Sequence, residues 1–150
     1  MKHKIVLFTL ALMLSLSTAF AGTITGVDDR VVNNFKKDFA SAEDVKWEKG
    51  NSFVKATFTL SGQIMFAYYA EEGQLLAVTR NITSTQLPIS LLNEIKKNYR
   101  GYWISDLFEI AMNNDTAYYI TLENGDYSLV MKSNGGTSWE VYKKERKEVL

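Results

Sequence analysis

The sequence predicts an α+β fold in which two tandem α-β(4) repeats form one antiparallel sheet of about eight strands, with both helices on one face. Three observations carry this expectation. Hydrophobic periodicity changes from 3.6 to 2 twice along the chain. A helical pattern recurs at a spacing of 60 residues, and turn glycines recur at a spacing of 63. The 150 residues are 46% apolar and 23% charged with one Pro and no Cys, so the core must hold by packing alone, without disulfides.

The N-terminus is set apart from this pattern. Lys2 and Lys4 precede an apolar run over residues 5–16, and Ala19-Phe20-Ala21 provides a small-x-small cleavage signature. Residues 1–21 are therefore expected to be a secretory signal peptide, since a span across a bilayer needs about 20 apolar residues. The mature protein is expected to be periplasmic or secreted, without stable membrane insertion. No Cys follows the cleavage site to take a lipid. Cleavage also removes His3, the only histidine. Without His or Cys, a chain cannot build a thiol nucleophile, an imidazole base, a Ser-His-Asp triad or a His/Cys zinc site. The remainder is expected to be a single domain over residues 22–143, made of repeats 27–83 and 86–143, and a charged tail over 144–150.

Each repeat opens with a helix. Val31, Val32, Phe35 and Phe39 recur as Leu91, Leu92, Ile95 and Tyr99, one apolar stripe with a Lys-Lys pair turned to water. Asp28 and Asp29 can cap the first helix, and Pro88 sits where a first-turn proline costs no hydrogen bond. A short strand is expected next, around residues 45–47 in the first repeat and 107–112 in the second. A hairpin follows: residues 53–60, a Ser61-Gly62 turn and a return through 64–68, matched by 117–122, a turn at Asn124-Gly125 and a return through 127–131. Gly73 then precedes Leu76-x-Val78, as Gly136 precedes Trp139-x-Val141. The drift from 60 to 63 implies an insertion between helix and hairpin in the second repeat.

Alternation assigns a helix-side set. It comprises Val45, Trp47, Val54, Ala56, Phe58, Leu60, Ile64, Phe66, Tyr68, Leu76 and Val78 in the first repeat. In the second it comprises Tyr118, Ile120, Leu122, Tyr127, Leu129, Met131, Trp139 and Val141. The complementary set faces outward, because one helix cannot cover both faces of four strands. That open face is expected to carry Phe53, Lys55, Met65, Tyr69, Tyr119, Lys132, Glu140 and Tyr142. Stiff aromatic groups lose little entropy on contact, which makes this set the candidate binding surface.

The tandem order α-β-β-β-β, the V-x-x-x-F-K-K-x-F helix opening and the D-V-K-W strand at 44–47 resemble the PepSY-like family of exported bacterial proteins, also described as β-lactamase-inhibitor-like. The resemblance covers roughly residues 27–143. It implies a two-layer fold like that of the β-lactamase inhibitor protein, which grips an enzyme with the concave face of its sheet. No inhibitory contact motif is matched, so inhibition is an analogy of fold.

Chemistry is sparse elsewhere. The close carboxylate pairs are Glu71-Glu72, Asp28-Asp29 and Asp106/Glu109, which sit where solvated or capping acids are ordinary. No calcium loop or other metal or cofactor motif is present. The C-terminal run of Lys143, Lys144, Arg146 and Lys147 is interrupted by Glu145 and Glu148, so no nucleic-acid partner is expected. Asn81-Ile82-Thr83 and Asn114-Asp115-Thr116 match the N-glycosylation sequon. Asp115-Thr116-Ala117 resembles a bacterial O-glycosylation acceptor, making Thr116 a candidate modification site. The expected function is a non-enzymatic module that engages a protein or peptide partner, as an inhibitor in one form. The alternative is a small-ligand carrier or envelope sensor domain holding its ligand between sheet and helices.

Overall fold

The computed structural model describes residues 26–148, so the expected signal peptide lies outside the described residues. Helix α1 (Asp29–Asp38) leads into strands β1 (Glu43–Lys49), β2 (Val54–Leu60), β3 (Gln63–Tyr69) and β4 (Leu75–Asn81). After a 3₁₀ turn (Ser84–Gln86) come helix α2 (Ile89–Asn98) and strands β5 (Trp103–Met112), β6 (Asp115–Glu123), β7 (Tyr127–Asn134) and β8 (Ser138–Arg146). The strands form one sheet in strict sequence order, and every neighbouring pair is antiparallel. Strand β8 extends through Arg146, so Lys144, Glu145 and Arg146, expected in the tail, belong to the edge strand of the sheet, where they remain exposed.

The two helices bury equivalent stripes. Val31 and Phe35 of α1, and Leu91 and Ile95 of α2, turn inward at i and i+4. Asp28 caps α1 by accepting from the Arg30 backbone N–H at 2.8 Å. Hydrogen bonds from Arg30, its side chain first, hold the Asp28 carboxyl down at about 2. Pro88 occupies the cap position just before α2, and its carbonyl accepts from Leu92 N–H at 3.1 Å. Both helices end on an ordinary α-helical bond from the C-cap residue, Phe39 N–H to Phe35 O and Tyr99 N–H to Ile95 O.

Each helix covers its own core. Under α1, the Phe35 ring meets Phe58 at 4.9 Å, Trp47 at 5.1 Å and Phe39 at 5.3 Å between centroids, with Val31, Val54, Ala56, Ala67 and Tyr69 filling the remainder. Under α2 the cluster is Ile82, Leu87, Leu91, Ile95, Leu107, Ile120, Leu122, Leu129, Met131 and Trp139. Full burial of an apolar side chain of this size stabilises by about 1.5–3 kcal/mol. Between the clusters, on the same face, runs a polar seam. Arg80 of β4 donates to both oxygens of Glu109 of β5 at 3.1 Å, and to Gln63 Oε1 at 3.1 Å.

The turn that follows the third strand of each repeat is tied to the helix above it. Asn34 Nδ2 donates to Gly73 O at 2.8 Å, and Ser90 Oγ donates to Gly136 O at 2.9 Å. The second repeat adds a stronger lock: Trp139 Nε1 donates to Leu91 O at 3.0 Å, and its backbone N–H donates to Glu94 at 3.2 Å. Gly73 has φ +97, and a Cβ there would lie 3.0 Å from Asn34 Nδ2 and 3.3 Å from the Arg30 backbone. Gly62 has φ +77 with open space around it. Gly62→Ala therefore carries only the backbone preference, about 1 kcal/mol. Gly73→Ala must also push α1 away from the sheet, and is expected to cost about 2–3 kcal/mol in all. Urea unfolding of the two variants checks this, and equal losses would refute a helix-docking role for Gly73.

Candidate binding surface

The outward face is built by register. Cross-strand partners share a face, and one transverse row runs Lys46, Thr57, Phe66, Thr79, Ile110, Ala117 across β1 to β6. A second row runs Asn81, Phe108, Tyr119, Lys132, Glu140 across β4 to β8. A third runs Glu48, Lys55, Tyr68, Ala77. The centre, β3 to β6, carries aromatic, Thr, Ala and Ile side chains, while Lys46, Glu48 and Lys55 stand at one side and Lys132 and Glu140 at the other.

The aromatic groups hold one another upright. Phe108 and Tyr119 stack with planes 5° apart and centroids at 5.1 Å; Tyr142 meets Tyr119 edge-on at 6.0 Å, and Phe53 meets Tyr68 at 5.7 Å. Lysines are drawn onto the same rings. Lys55 Nζ lies 5.3 Å from the Phe66 centroid while paired with Glu48 at 3.2 Å, and Lys132 Nζ lies 5.8 Å from that of Tyr119. The result is a surface of aromatic ridges separated by Thr79 and Ala77, bordered by charges of both signs.

Six of the expected surface residues, Phe53, Lys55, Tyr119, Lys132, Glu140 and Tyr142, lie on or beside this face. Met65 and Tyr69 do not. Met65 packs against the α1 cluster, and Tyr69 is fully buried with its hydroxyl donating to Asp38 at 2.9 Å. The Ser61-Gly62 turn pairs Leu60 with Gln63, so the inward set on β3 is 63, 65, 67 and 69 rather than 64, 66 and 68. Ile64, Phe66 and Tyr68 consequently face outward, contrary to the expected helix-side set. Leu76, also expected inside, is the extra residue of a bulge between the Tyr68/Ala77 and Tyr69/Leu75 pairs and is 39% exposed. Val141 shares the inner face with Met131 but lies at the sheet edge, 58% exposed. Sequence reasoning missed Phe66, Tyr68, Phe108 and Ile110 as surface groups. The two-residue turn, which pairs i with i+3, was the available signal for the first two.

The carboxylates are committed to other tasks. Asp106 pairs across the ladder with Thr121 on the outer face, whereas Glu109 faces the helices and chelates Arg80, so the two acids lie on opposite sides of the sheet. Glu71 pairs with Lys49 at 3.3 Å. The C-terminal cations are likewise engaged: Lys144 lies 4.4 Å from the Tyr127 centroid, and Lys147 bonds Glu123 at 2.7 Å while lying 4.7 Å from the Trp103 centroid.

No family model matches the chain, and no curated protein does. Solved structures do resemble it. A DUF2874 family protein from Bacteroides ovatus aligns at a TM-score of 0.70 and 14% identity, over 80% of this chain and 87% of its own. A BLIP-like protein from Bacteroides fragilis aligns at 0.69 and 16%, over 80% and 86%. A Bacteroides eggerthii protein inferred to be periplasmic aligns at 0.69 and 12%, over 80% and 88%. At these identities the likeness shows the fold, a BLIP-like two-layer architecture. No helix among the described residues is long and apolar enough to cross a membrane.

The inward placement of Tyr69 has a measurable consequence. Burial first, and then the hydrogen bond to Asp38, push its phenol well above the ordinary tyrosine value of about 10. The protonated phenol is the form the fold favours. Its contribution is therefore complete below about pH 10, where an unfolded tyrosine ionises, and declines as the pH rises further. Tyr69→Phe is expected to lose about 1 kcal/mol at pH 7 and to show a shallower loss of stability between pH 9.5 and 11 than wild type. Urea titrations across that range test it, and parallel alkaline limbs would exclude Tyr69 as a source of the slope.

Proposed function

We propose that the chain is an exported, non-enzymatic binding module that engages a protein or peptide through the open face of its sheet. The observation that carries this reading is the set of half-buried aromatic and aliphatic groups brought onto one face, Tyr68 and Phe66 from the first repeat and Ile110, Phe108 and Tyr119 from the second, with Thr79 between them. Interfaces place apolar and aromatic groups at the centre and charge at the rim, and this face has that order. Its rings pack on one another and on the lysines set against them, an arrangement that lowers the entropy cost of docking. The likeness to a BLIP-like protein supports the same surface, since that architecture leaves this face without helices. A partner loop laid across Thr79 and Ala77 would contact aromatic groups from both repeats at once. The N-terminal 21 residues supply the route of export, and the absence of His and Cys beyond them supports a role without catalysis.

The test uses the chain 22–150 as bait in periplasmic extract, followed by titration calorimetry with the purified partner. Phe66→Ala/Tyr68→Ala/Tyr119→Ala is expected to weaken the Kd at least 100-fold, each central aromatic anchor contributing about 2 kcal/mol. Ile89→Ala, on the helix side, is expected to leave it unchanged. Circular dichroism and urea midpoints establish that the triple variant is folded. A partner held equally by wild type and triple variant would overturn the surface assignment. Turnover of a hydrolase substrate that disappears in Glu72→Gln would overturn the non-enzymatic part.

A further inference from the structure

We propose that Thr116 is an O-glycosylation site, modified on Oγ1. The inference does not depend on the open-face reading. Thr116 is the one Ser or Thr in the 150 residues that directly follows an Asp, so the Asp-Thr-Ala acceptor pattern marks a single position.

The fold presents that position as an acceptor. Strands β5 and β6 have 10 and 9 residues, against 7 in β4 and 8 in β7, and the ladders to those two neighbours stop at Ala111 and Tyr119, short of the β5–β6 hairpin tip. Its tip is Asn113-Asn114, both in the left-handed region at φ 50 and 69, closed by the Met112–Asp115 pair. The ladder between β6 and β7 starts only at Tyr119. Asp115, Thr116 and Ala117 are therefore held extended by β5 on one side, while on the other they have no ladder partner and border a concavity that Ser133 and Gly135 also line. Thr116 is exposed, and its cross-strand neighbour is the small, exposed Ala111. Neither the Thr116 hydroxyl nor the Asp115 carboxylate has a hydrogen-bond or ion-pair partner among the described residues. A concavity of about 470 Å³ lined by Ile110, Met112, Tyr119 and Lys132 opens beside them, leaving room for a first sugar.

Thr83, the hydroxyl of the other sequon, is placed differently. Its Oγ1 lies 2.8 Å from Thr85 Oγ1 and 3.2 Å from Gln86 Oε1, and the intervening Ile82 is buried in the α2 core. That segment cannot be extended into an enzyme without unpacking the core, whereas 115–117 is already extended.

The reaction is a displacement with no change of oxidation state. Thr116 Oγ1 attacks the anomeric carbon of a sugar carried as a phosphate ester, a C1–Oγ1 bond forms, and the C1–O bond to phosphate breaks. The phosphate leaves with the electron pair, and the hydroxyl proton passes to a base of the transferase.

The full chain, with its own N-terminal segment, is produced in a Bacteroides host shown to glycosylate a control protein bearing the same triplet, and its intact mass is measured. The expected mass exceeds that of the polypeptide by whole sugar residues, all on the peptide containing Thr116. Thr116→Ala and Asp115→Ala are expected to remove the excess, while Thr116→Ser and Asn114→Gln keep it. An unmodified wild-type mass, an excess that survives Thr116→Ala, or one that is lost in Asn114→Gln and so belongs to an N-linked sugar, would overturn the proposal.

Discussion

A ten-residue helix is about 15 Å long and about 10 Å wide with its side chains, while eight strands at about 4.8 Å spacing span roughly 35 Å. Two such helices can cover one face of this sheet and no more, and the covering is divided. Phe35 anchors one apolar cluster beneath α1, and Leu91 with Trp139 anchors the other beneath α2. In the gap between them the sheet meets water on its inner face too. The residues there are accordingly Gln63, Arg80 and Glu109, satisfied by one another rather than buried in hydrocarbon. A half-buried charge pair of this kind contributes modestly to stability, but its two-point geometry sets how β4 of the first repeat meets β5 of the second.

The uncovered face stays ordered for a different reason. Its aromatic rings pack on each other across strands, and its lysines lie against those rings with a carboxylate close by, as Lys55 does between Phe66 and Glu48. The sheet edges carry their own protection. Strand β1 bears Glu43, Asp44, Lys46, Glu48 and Lys49, and β8 ends in Lys143, Lys144, Glu145 and Arg146. Both edge ladders also contain a register shift, between Glu43 and Lys46 and between Val130 and Met131. Charge and bulges at open edges oppose pairing with another sheet. The aromatic groups from Phe66 to Tyr119 lie away from these guarded edges, on β3 to β6 of the open face.

The repeat architecture was legible because each element carries its own local signal. The helical stripe of Val31 and Phe35 recurs in Leu91 and Ile95, and the glycines at 73 and 136 occupy equivalent turns against the two helices. The expected insertion in the second repeat is the lengthening of β5 and β6. Facing was legible only where polarity alternates. On β6 and β7, Ile120, Leu122, Leu129 and Met131 separate cleanly from Thr121, Ser128 and Lys132, and the inward set is as expected. Strand β3 reads Gln-Ile-Met-Phe-Ala-Tyr-Tyr, apolar at both parities from Ile64 onward. Hydrophobicity cannot choose between its two faces, and only the pairing of Leu60 with Gln63 through the Ser61-Gly62 turn does so.

By itself the sequence determined the order of elements, the tandem repeat, the two-layer class and the stripe each helix buries, because periodicity and turn chemistry act between residues close in the chain. Tertiary structure alone decided which aromatic groups share the open face, that Tyr69 reaches inward to Asp38, and that Asp106 and Glu109 are separated by the thickness of the sheet. It also decided that residues 115–117 lie beyond the end of the β6–β7 ladder. Each of these depends on register between strands, and register is set by a single turn or bulge whose one-residue difference moves every side chain beyond it to the opposite face.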